Sequence, residues 1–584
     1  MSAARREWLT ASAAALAAAS AALAGRHWWE TPLAQGPREV PPLPSARAAG
    51  SRPLNVLLVM SDQERFDLPA ALPLPGHERL REEGTRFTQF HVNTTPCTPS
   101  RSTFYFGRHT QHTGMIVNLG VHPAPQLPRR MPSLGDYFRA NGYRTAYKGK
   151  WQLSAVPSPT AQAAGRHEDT RDALEPFGFA DFNRDGDPQG STWTGYKFDA
   201  QIAADAARWL TDEAPRGDEP WLLAVNFVNP HDVMFLATSA AQNHSRRHRD
   251  YLAPLAAAPL DAHYGARWEL PLPANHLDDL SRKPWAQRNH QRFCDMAFGR
   301  MDPGEAAWQV YQDYYFNCIR DVDRHLLTVL QALDRSGQAG RTVVVYTSDH
   351  GEMAGAHGLR QRGPFMYQEN TRVPFIVRHP DVKPGRQTAA LGSAVDLIPT
   401  LLTLAGCDAA QVARQYPQLA GVSLAAAVAQ PEARTARDER GVLFNGNTWQ
   451  DMDVDFAAAL IERGVPADRH LPLRAMAAGL PRRPRRDQPT LFRGIHTGRH
   501  KFARYFKPTE HHRPTDWETL THHNSLELYD LRDDPGELNN LAHAPEWMRG
   551  LVSDLNARLQ ALLDQEVGSD LGEALPGPTF LRRL

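Results

Sequence analysis

The chain has 584 residues, and its 65 Lys and Arg residues balance 65 Asp and Glu residues, so the formal net charge at pH 7 is zero. That balance provides no long-range attraction to nucleic acid or to an anionic membrane, and we do not expect nucleic acid as a partner. Four cysteines without a CxxC pair are too few and too widely spaced for a disulfide framework. The length suits one large α/β domain followed by a smaller domain.

The N-terminal residues 1–24 predict an export signal. Arg5 and Arg6 precede an Ala-rich apolar run that ends at Ala22-Leu23-Ala24, which is the order of basic, apolar and small-residue regions in a signal peptide. The paired arginines favour the twin-arginine route, and hence a periplasmic or secreted protein with no stable membrane partner beyond the export machinery. An uncleaved anchor and an ordinary N-terminal helix are the alternatives. Residues 25–52, rich in Pro, Ala and Arg, predict a linker.

Three apolar runs predict strands that are buried on both faces of a parallel sheet, and each run ends in polar residues. The runs are Leu54–Met60, followed by Ser61-Asp62-Gln63; Trp221–Val228, followed by Asn229-Pro230-His231-Asp232; and Thr342–Tyr346, followed by Thr347-Ser348-Asp349-His350. Helical patterns alternate with the strands at Pro132–Asn141, Phe198–Glu213 and Tyr311–Ser336. This order predicts an α/β fold with a large mixed, mostly parallel sheet between helices, and a ligand site where the strands end.

Two further regions have a different pattern of apolar and polar residues. Residues 232–305 show little periodicity and predict a lid-like insertion, in which four side chains either contact the substrate or only pack the lid: Trp268, His276, Arg282 and Trp285. After residue 440, short strands at Leu491–Ile495 and Lys501–Tyr505 predict a hairpin, to which Leu526–Leu531 adds a strand and Glu546–Glu566 a helix. We therefore predict a main, catalytic domain at 53–440 and a smaller α+β domain at 441–584.

The segment Thr95-Pro96-Cys97-Thr98-Pro99-Ser100-Arg101 contains Cys-x-Pro-Ser-Arg and resembles the signature of the sulfatase family, in the alkaline phosphatase superfamily. The resemblance extends from about residue 53 to residue 545, because other segments are similar to sulfatase motifs in the family's order. They are Asp62-Gln63, Gly149-Lys150-Trp151, Pro230-His231, Ser348-Asp349-His350-Gly351-Glu352, Arg372-Val373-Pro374, Asp396–Leu401 and Glu527–Leu531. The resemblance implies an alkaline-phosphatase-like fold and an arylsulfatase-like activity on a small-molecule or carbohydrate sulfate ester.

The resemblance also implies a modified nucleophile and a metal. In sulfatases a formylglycine-generating enzyme oxidises the signature cysteine, here Cys97, and the hydrated aldehyde offers one hydroxyl as nucleophile and a second whose deprotonation expels sulfate. Carboxylate and amide oxygens favour a hard cation, Ca²⁺ first and Mg²⁺ second, while an imidazole leaves Mn²⁺ or Zn²⁺ open. The implied ligands of one divalent cation are Asp62, Gln63, Cys97, Asp349 and His350.

The remaining implied roles concern the sulfate and the leaving group. Lys150 and Arg362 are expected to contact sulfate, and His231 is expected to protonate the leaving oxygen as a general acid. Arg101 follows Cys97 by one helical turn and is expected to hold the formylglycine or its metal-bound oxygens. Lys148, close to the motif lysine, is expected to be solvated and without a catalytic role.

One departure from the family pattern bears on the chemistry. Many sulfatases carry histidine two residues after the motif lysine, but this chain carries Gln152, whose amide cannot abstract the hydrate proton. Either Gln152 only orients, or another base serves, with His109, His112 and His357 as candidates. The departure keeps open a phosphonate monoester or phosphodiester hydrolase with the same nucleophile. A binding protein for sulfated glycans, with Cys97 never oxidised, is the third alternative, and the sequence makes no prediction of oligomeric state.

Overall fold

The computed structural model describes residues 40–43, 53–119, 127, 131–159, 168–245, 254–447, 453–462, 485, 487–508, 510–511, 513–543 and 546–570. The predicted signal peptide at 1–24 and most of the predicted linker lie outside the described residues, so both stay predictions. Within the described ranges, no helix is both long and apolar enough to cross a membrane.

The main sheet has seven strands. They are β1 Asn55–Asp62, β2 Thr85–His91, β3 Arg144–Gly149, β4 Trp221–Pro230, β5 Thr342–Ser348, β6 Phe375–Arg378 and β7 Arg386–Ser393. Their spatial order is β3-β4-β1-β5-β6-β2-β7, and neighbours are parallel except that β6 runs antiparallel to β5 and β2. The prediction of an α/β fold with a large mixed, mostly parallel sheet is confirmed.

The register of the three central strands brings their polar ends together. In β1 every residue is buried, as expected for an apolar run that is covered on both faces. Ser61 of β1 is paired with Ser348 of β5, and Asp62 of β1 is paired with Pro230 of β4. The residues that follow these strands therefore meet at one edge of the sheet, next to Asp62.

The α-helices of the described chain are α1 Pro75–Glu83, α2 Cys97–Phe106, α3 Thr110–Thr113, α4 Leu134–Ala140, α5 Thr194–Arg208, α6 Ala240–Ser245, α7 Trp285–Phe298, α8 Glu305–Arg335, α9 Gln368–Thr371, α10 Leu397–Leu404, α11 Ala409–Gln415, α12 Ala425–Ala429, α13 Ala436–Arg440, α14 Val454–Glu462, α15 Trp517–His523 and α16 Arg549–Glu566. Four of them, α4, α5, α8 and α16, correspond to the predicted helices. Helix α5 ends early because its last turn continues as a π turn at Trp209–Glu213, and α8 begins six residues before the predicted start.

Helices cover both faces of the main sheet. Alternate side chains of β1 point to opposite faces. Leu57 and Val59 belong to a core that includes residues of α5 and α8, whereas Leu58 and Met60 belong to a core that includes residues of α2, α4 and α10. Helix α2 is thereby fixed against the sheet close to the strand ends.

A second, antiparallel sheet has the order β11-β10-β9-β8. Its strands are β8 Val442–Gly446, β9 Leu491–His496, β10 His500–Phe506 and β11 Asn524–Asp530, and α16 packs on it through apolar residues such as Leu555 and Leu559. The hairpin, the third strand and the closing helix of the prediction are all present. Strand β8 was not predicted. The exact division into domains at residue 440 stays a prediction.

Part of the predicted insertion is firmly attached to the rest of the chain. Asn275 Nδ2 donates to Glu369 at 3.0 Å and to the carbonyl oxygen of Gly536 at 3.1 Å, and Lys283 Nζ donates to the hydroxyl of Tyr529 at 3.0 Å. Helix α7, which the sequence pattern did not predict, also lies in this region. This part of the insertion is therefore held by hydrogen bonds to Glu369 of the main domain and to Tyr529 and Gly536 of the C-terminal region.

Candidate active site

Cys97 is the first residue of α2 and is completely buried. The backbone N–H of Thr98 donates to Asn118 Oδ1 at 2.9 Å, which ties the start of the helix to the following loop. The helix ends at Gly107, where φ is +60° and an added Cβ would lie 2.6 Å from Leu419 Cδ2. The positive end of the helix dipole thus lies at the nucleophile position, where it favours an anion.

Two carboxylates and an imidazole surround the Cys97 sulfur. The ligating atoms of Asp62, Cys97, Asp349 and His350 lie within 4.8 Å of one another, and all four residues are buried. His350 Nε2 is 3.1 Å from Cys97 Sγ, and Nδ1 is 3.0 Å from the carbonyl oxygen of Gly351. A carbonyl can only accept, so Nδ1 carries a proton and Nε2 is the nitrogen directed at the cluster.

The charges of this cluster are not balanced by its own residues. Burial alone would raise the pKa of Asp62, but Lys150, His231 and Arg101 hold it well below its ordinary value. Burial and the neighbouring charge of Asp62 raise the pKa of Asp349. One carboxylate thus ionises readily and the other resists, which is the condition that a bound cation would relieve.

Gln63 completes the donor set from the sequence prediction. Its backbone N–H donates to Asp349 Oδ1 at 3.1 Å, and its Nε2 donates to Glu352 Oε2 at 2.5 Å. The amide oxygen Oε1 is buried and accepts no hydrogen bond from any described residue. Two carboxylates, an imidazole nitrogen and an unpaired amide oxygen fit a divalent cation.

Arg101 binds the carboxylates rather than the nucleophile. Nε donates to Asp349 Oδ2 at 2.8 Å, Nη2 to Asp62 Oδ2 at 3.1 Å, and Nη1 to the Lys150 carbonyl oxygen at 2.8 Å. No hydrogen bond joins Arg101 to the Cys97 sulfur among the described residues, and the expected role of Arg101 in holding the formylglycine or its metal-bound oxygens stays a prediction.

Lys150 and Arg362 contact the cluster, and both influence the nearby imidazole of His231. Lys150 Nζ lies 2.6 Å from Asp62 Oδ2, and Arg362 Nη2 lies 3.3 Å from Cys97 Sγ. Burial and the charge of Lys150 lower the pKa of His231 well below its ordinary value, and Arg362 contributes to this effect. Burial by itself raises the pKa of the Cys97 thiol, but Arg362 brings it below its ordinary value. Positive charge from these groups therefore surrounds both His231 and Cys97.

Gln152 has a buried side chain and an unusual backbone. Its φ is +53°, and its N–H donates to Asp187 Oδ2 at 2.8 Å, next to the N–H of Trp151, which donates to Oδ1 of the same carboxylate at 2.9 Å. Thr98 Oγ1 donates to the Gln152 carbonyl at 2.9 Å. The amide oxygen Oε1 has no hydrogen-bond partner among the described residues. Asp187 and Thr98 therefore fix this residue beside the helix that carries Cys97.

Three histidines that the sequence suggested as substitute bases have other contacts. His109 Nε2 is 2.8 Å from Glu566 Oε2 in α16, and His112 Nε2 is 2.9 Å from the carbonyl oxygen of Val567. His357 Nδ1 is 2.7 Å from Asp278 Oδ2. These contacts attach the C-terminal helix and the insertion to the main domain, so none of the three histidines is supported as the base.

The expectation that Lys148 is solvated is wrong, whereas its lack of a catalytic role stays a prediction. Its side chain is buried rather than solvated, and Nζ donates to the carbonyl oxygen of Asp181 and, at 3.5 Å, to that of Phe182. Burial lowers its pKa. The loop at 181–182 covers Lys148, which no local pattern around residue 148 could indicate.

Two of the four proposed substrate contacts in the insertion are packed against the rest of the chain. Trp268 Nε1 donates to Asn317 Oδ1 at 3.1 Å, and His276 Nδ1 is 2.7 Å from the carbonyl oxygen of Gly355. Trp285 is half-buried at the start of α7, and Arg282 is exposed. For Trp268 and His276, the alternative of a packed lid is therefore the better interpretation.

Asn226 and Glu352 also belong to the site, although neither was predicted as a site residue. Asn226 Oδ1 accepts from Tyr105 at 2.9 Å and from Arg101 Nη1 at 3.3 Å. Glu352 accepts from Gln63 and, at 3.0 Å, from Tyr311. Asn226 interrupts the apolar run Trp221–Val228, and a polar residue in a buried strand is a signal that could have identified it.

Comparison with known proteins agrees with this geometry. The family model described as Sulfatase matches residues 54–407. The uncharacterized sulfatase YidJ of Escherichia coli K12 is 27% identical over 387 residues, which cover 61% of this chain and 69% of YidJ. This chain spans only 57–69% of the length of four curated relatives that it matches.

Two solved structures share the fold. A 2-O GAG sulfatase superposes with a TM-score of 0.61 at 20% identity, covering 88% of this chain and 93% of that chain. The phosphonate monoester hydrolase of Agrobacterium radiobacter superposes with a TM-score of 0.57 at 20% identity, covering 88% and 96%. At this identity the likeness concerns the fold alone, whereas the family model matches more than half of the sequence. The chain therefore belongs to the sulfatase family.

Proposed function

We propose that this protein hydrolyses a sulfate ester and that its nucleophile is a formylglycine made from Cys97. One observation carries the proposal: the Cys97 sulfur, at the start of a buried helix, lies 3.3 Å from Arg362 and 3.1 Å from His350, beside two carboxylates. A buried cysteine with only a packing role has no need of these charged neighbours. The sulfur marks the position that the hydroxyls of the hydrated aldehyde would occupy.

The residues around Cys97 divide into two groups with separate tasks. Asp62, Gln63, Asp349 and His350, with the modified Cys97, would hold one divalent cation, Ca²⁺ before Mg²⁺ or Mn²⁺. When bound, the cation would polarise a sulfate oxygen and lower the pKa of the nucleophilic hydroxyl. Metal analysis of the purified protein, before and after dialysis against a chelator, tests this assignment.

The second group binds the sulfate and the leaving oxygen. Lys150 and Arg362 would neutralise the sulfate oxygens, because both are buried cations within reach of the Cys97 position. His231 would donate its proton to the leaving oxygen as the ester bond breaks. The anionic sulfate opposes the cationic groups that lower the pKa of His231, so substrate binding favours the protonated imidazole that this step requires.

The decisive experiment is the peptide mass around residue 97 in protein from the native host, together with hydrolysis of 4-nitrophenyl sulfate. We expect the aldehyde in place of the thiol, and loss of turnover in Cys97→Ala. An unmodified cysteine in folded protein, with turnover unchanged by Cys97→Ala, would contradict the proposal. Sulfate binding without turnover would support the glycan-binding alternative.

A phosphonate monoester or phosphodiester hydrolase is the second candidate, because Gln152 stands where many sulfatases carry a histidine. Its buried, unpaired amide oxygen offers an acceptor rather than a base. Relative kcat/KM values for 4-nitrophenyl sulfate and 4-nitrophenyl phenylphosphonate distinguish the two functions. We expect the sulfate to be the better substrate.

Export and maturation belong to the same proposal. The predicted signal at 1–24 would direct the folded protein to the periplasm or the medium, after a formylglycine-generating enzyme has modified Cys97 in the cytoplasm. Fractionation of native cells tests this, with the modified protein expected outside the cytoplasm.

A further inference from the structure

His231 is held in the site without any described hydrogen-bond partner at Nδ1 of its ring. It opens the 3₁₀ turn His231–Phe235 directly after β4, and only 3% of its surface is exposed. Nδ1 is buried and has no hydrogen-bond partner in the described part of the chain. A catalytic imidazole is commonly oriented by a carboxylate or carbonyl at this nitrogen. Here the orientation has to come from packing and from the backbone that carries the residue.

The loop before α5 packs directly on the imidazole. Gly190 has φ of +115°, and an added Cβ there would lie 2.5 Å from His231 Cε1 and 2.8 Å from Nδ1. On another side, the ring of Phe235 lies 5.9 Å from the imidazole, measured between centroids. These contacts restrict the ring, but only if the turn itself is fixed in place.

Two buried carboxylates, one in the turn at His231 and one in α5, fix the turn to the helix. Asp199 of α5 accepts from the backbone N–H groups of Val228 at 2.7 Å and Asn229 at 2.9 Å, just before His231. Asp232, just after His231, accepts from the N–H groups of Gly195 at 3.0 Å and Tyr196 at 2.9 Å, in the first turn of α5. The two side chains thus clamp the backbone on both sides of His231 through four hydrogen bonds.

We infer that Asp199 and Asp232 are positioning residues for His231 that direct its imidazole at the leaving oxygen of the ester. The inference rests on the proposed function, in which His231 is the general acid. Neither carboxylate takes part in the proton transfer. A small displacement of the turn would move the imidazole out of hydrogen-bond reach of the leaving oxygen, and misplacements of about 1 Å cost about 100-fold in rate.

The test compares two aryl sulfates that differ in their need for a general acid. 4-Nitrophenolate is a stable anion that leaves without protonation, whereas phenolate is a poorer leaving group that benefits from it. For Asp232→Asn and Asp199→Asn, which keep the size of the side chain, we expect kcat/KM to fall about 10-fold to 100-fold for phenyl sulfate and less than about 3-fold for 4-nitrophenyl sulfate. The matched control is Asp136→Asn, because Asp136 also accepts from a backbone N–H, that of Ser133 at 2.9 Å, in the cap of α4. It should change neither value.

A double mutant separates positioning from a general effect on the fold. In a His231→Ala background, adding Asp232→Asn should cause no further loss on phenyl sulfate, because the group that it positions is gone. Equal losses on the two esters, or a full additional loss in the His231→Ala background, would overturn the inference while leaving the sulfatase proposal standing. Wild-type protein with confirmed formylglycine that hydrolyses neither these aryl sulfates nor carbohydrate sulfate esters would overturn both.

Discussion

The candidate site has a cation side, Arg101 with the proposed metal ligands, and a substrate side, Lys150, His231, Arg362 and Gln152, and the two differ in how their buried arginines are paired. On the cation side, the guanidinium nitrogens of Arg101 all donate to neighbouring oxygens, and the unpaired atom is Gln63 Oε1, a proposed metal ligand. On the substrate side, Arg362 Nε, Gln152 Oε1 and His231 Nδ1 are buried without a hydrogen-bond partner among the described residues. Buried polar groups in native proteins are nearly always paired, so the unpaired set marks where a ligand supplies partners. Stability and activity should therefore respond differently to changes on the two sides.

The largest effect on stability is expected from Arg101→Ala. Removing this guanidinium leaves the carboxylates of Asp62 and Asp349 buried with less compensating charge, which lowers the free energy of unfolding by about 3 kcal/mol or more. Urea denaturation measures the loss. Arg171→Ala is the control, because Arg171 forms an exposed ion pair with Asp169 and its loss should leave the midpoint unchanged. An Arg101→Ala protein as stable as wild type would remove the distinction between the two sides.

The largest effect on activity without a matching loss of stability is expected from Arg362→Met. The variant removes a buried cation that contacts the nucleophile position, so kcat/KM should fall about 100-fold while the unfolding midpoint stays close to wild type. Arg360→Met is the matched control. Its guanidinium donates to the carbonyl oxygens of Cys294 and Gly299, so we expect lower stability and a smaller effect on rate. A large loss of stability with little loss of rate in Arg362→Met would show that Arg362 has a structural role instead.

A smaller effect is expected from Gln152→Ala. An amide transfers no proton near neutral pH, so kcat should fall less than about 10-fold and the pH dependence of kcat/KM should keep its shape. The comparison variant His231→Ala should remove one limb of that profile. A change of profile shape in Gln152→Ala would show that residue 152 controls a proton transfer after all.

The sequence predicted the site because its residues follow long apolar runs. The runs that became β1, β4 and β5 are neighbours in the sheet, so Asp62, His231 and Asp349 meet without any long-range information. Strand β2 was missed because its sequence, Thr85–His91, is short and mixed, and only pairing with β6 and β7 makes it a strand. Similarly, the burial of Lys148 depends on carbonyl groups more than 30 positions away. The clamp on His231 depends on Asp199, which looks like any charged residue of a helix.

The smallest effect on activity is expected at a buried ion cluster that adjoins the cation side through Glu64, the residue after Gln63. His77 Nε2 is 2.9 Å from Glu64 Oε1 and Nδ1 is 2.5 Å from Asp323 Oδ1, and burial opposes the charge while these two carboxylates raise the pKa of His77 to about 9. Because the ordinary pKa of histidine is about 6.5, protonated His77 stabilises the fold fully below about pH 6.5, and this contribution disappears as pH rises through about 9.

Unfolding free energies measured from pH 6 to pH 10 should therefore decline across that window in wild type and decline less in His77→Gln. The variant keeps two polar atoms on the side chain but cannot become cationic, so it separates charge from hydrogen bonding. An equal dependence of the unfolding free energy on pH in the two proteins would show that protonated His77 does not stabilise the cluster. A shallower slope in the variant would show that the cation side owes part of its stability to a histidine that has no role in catalysis.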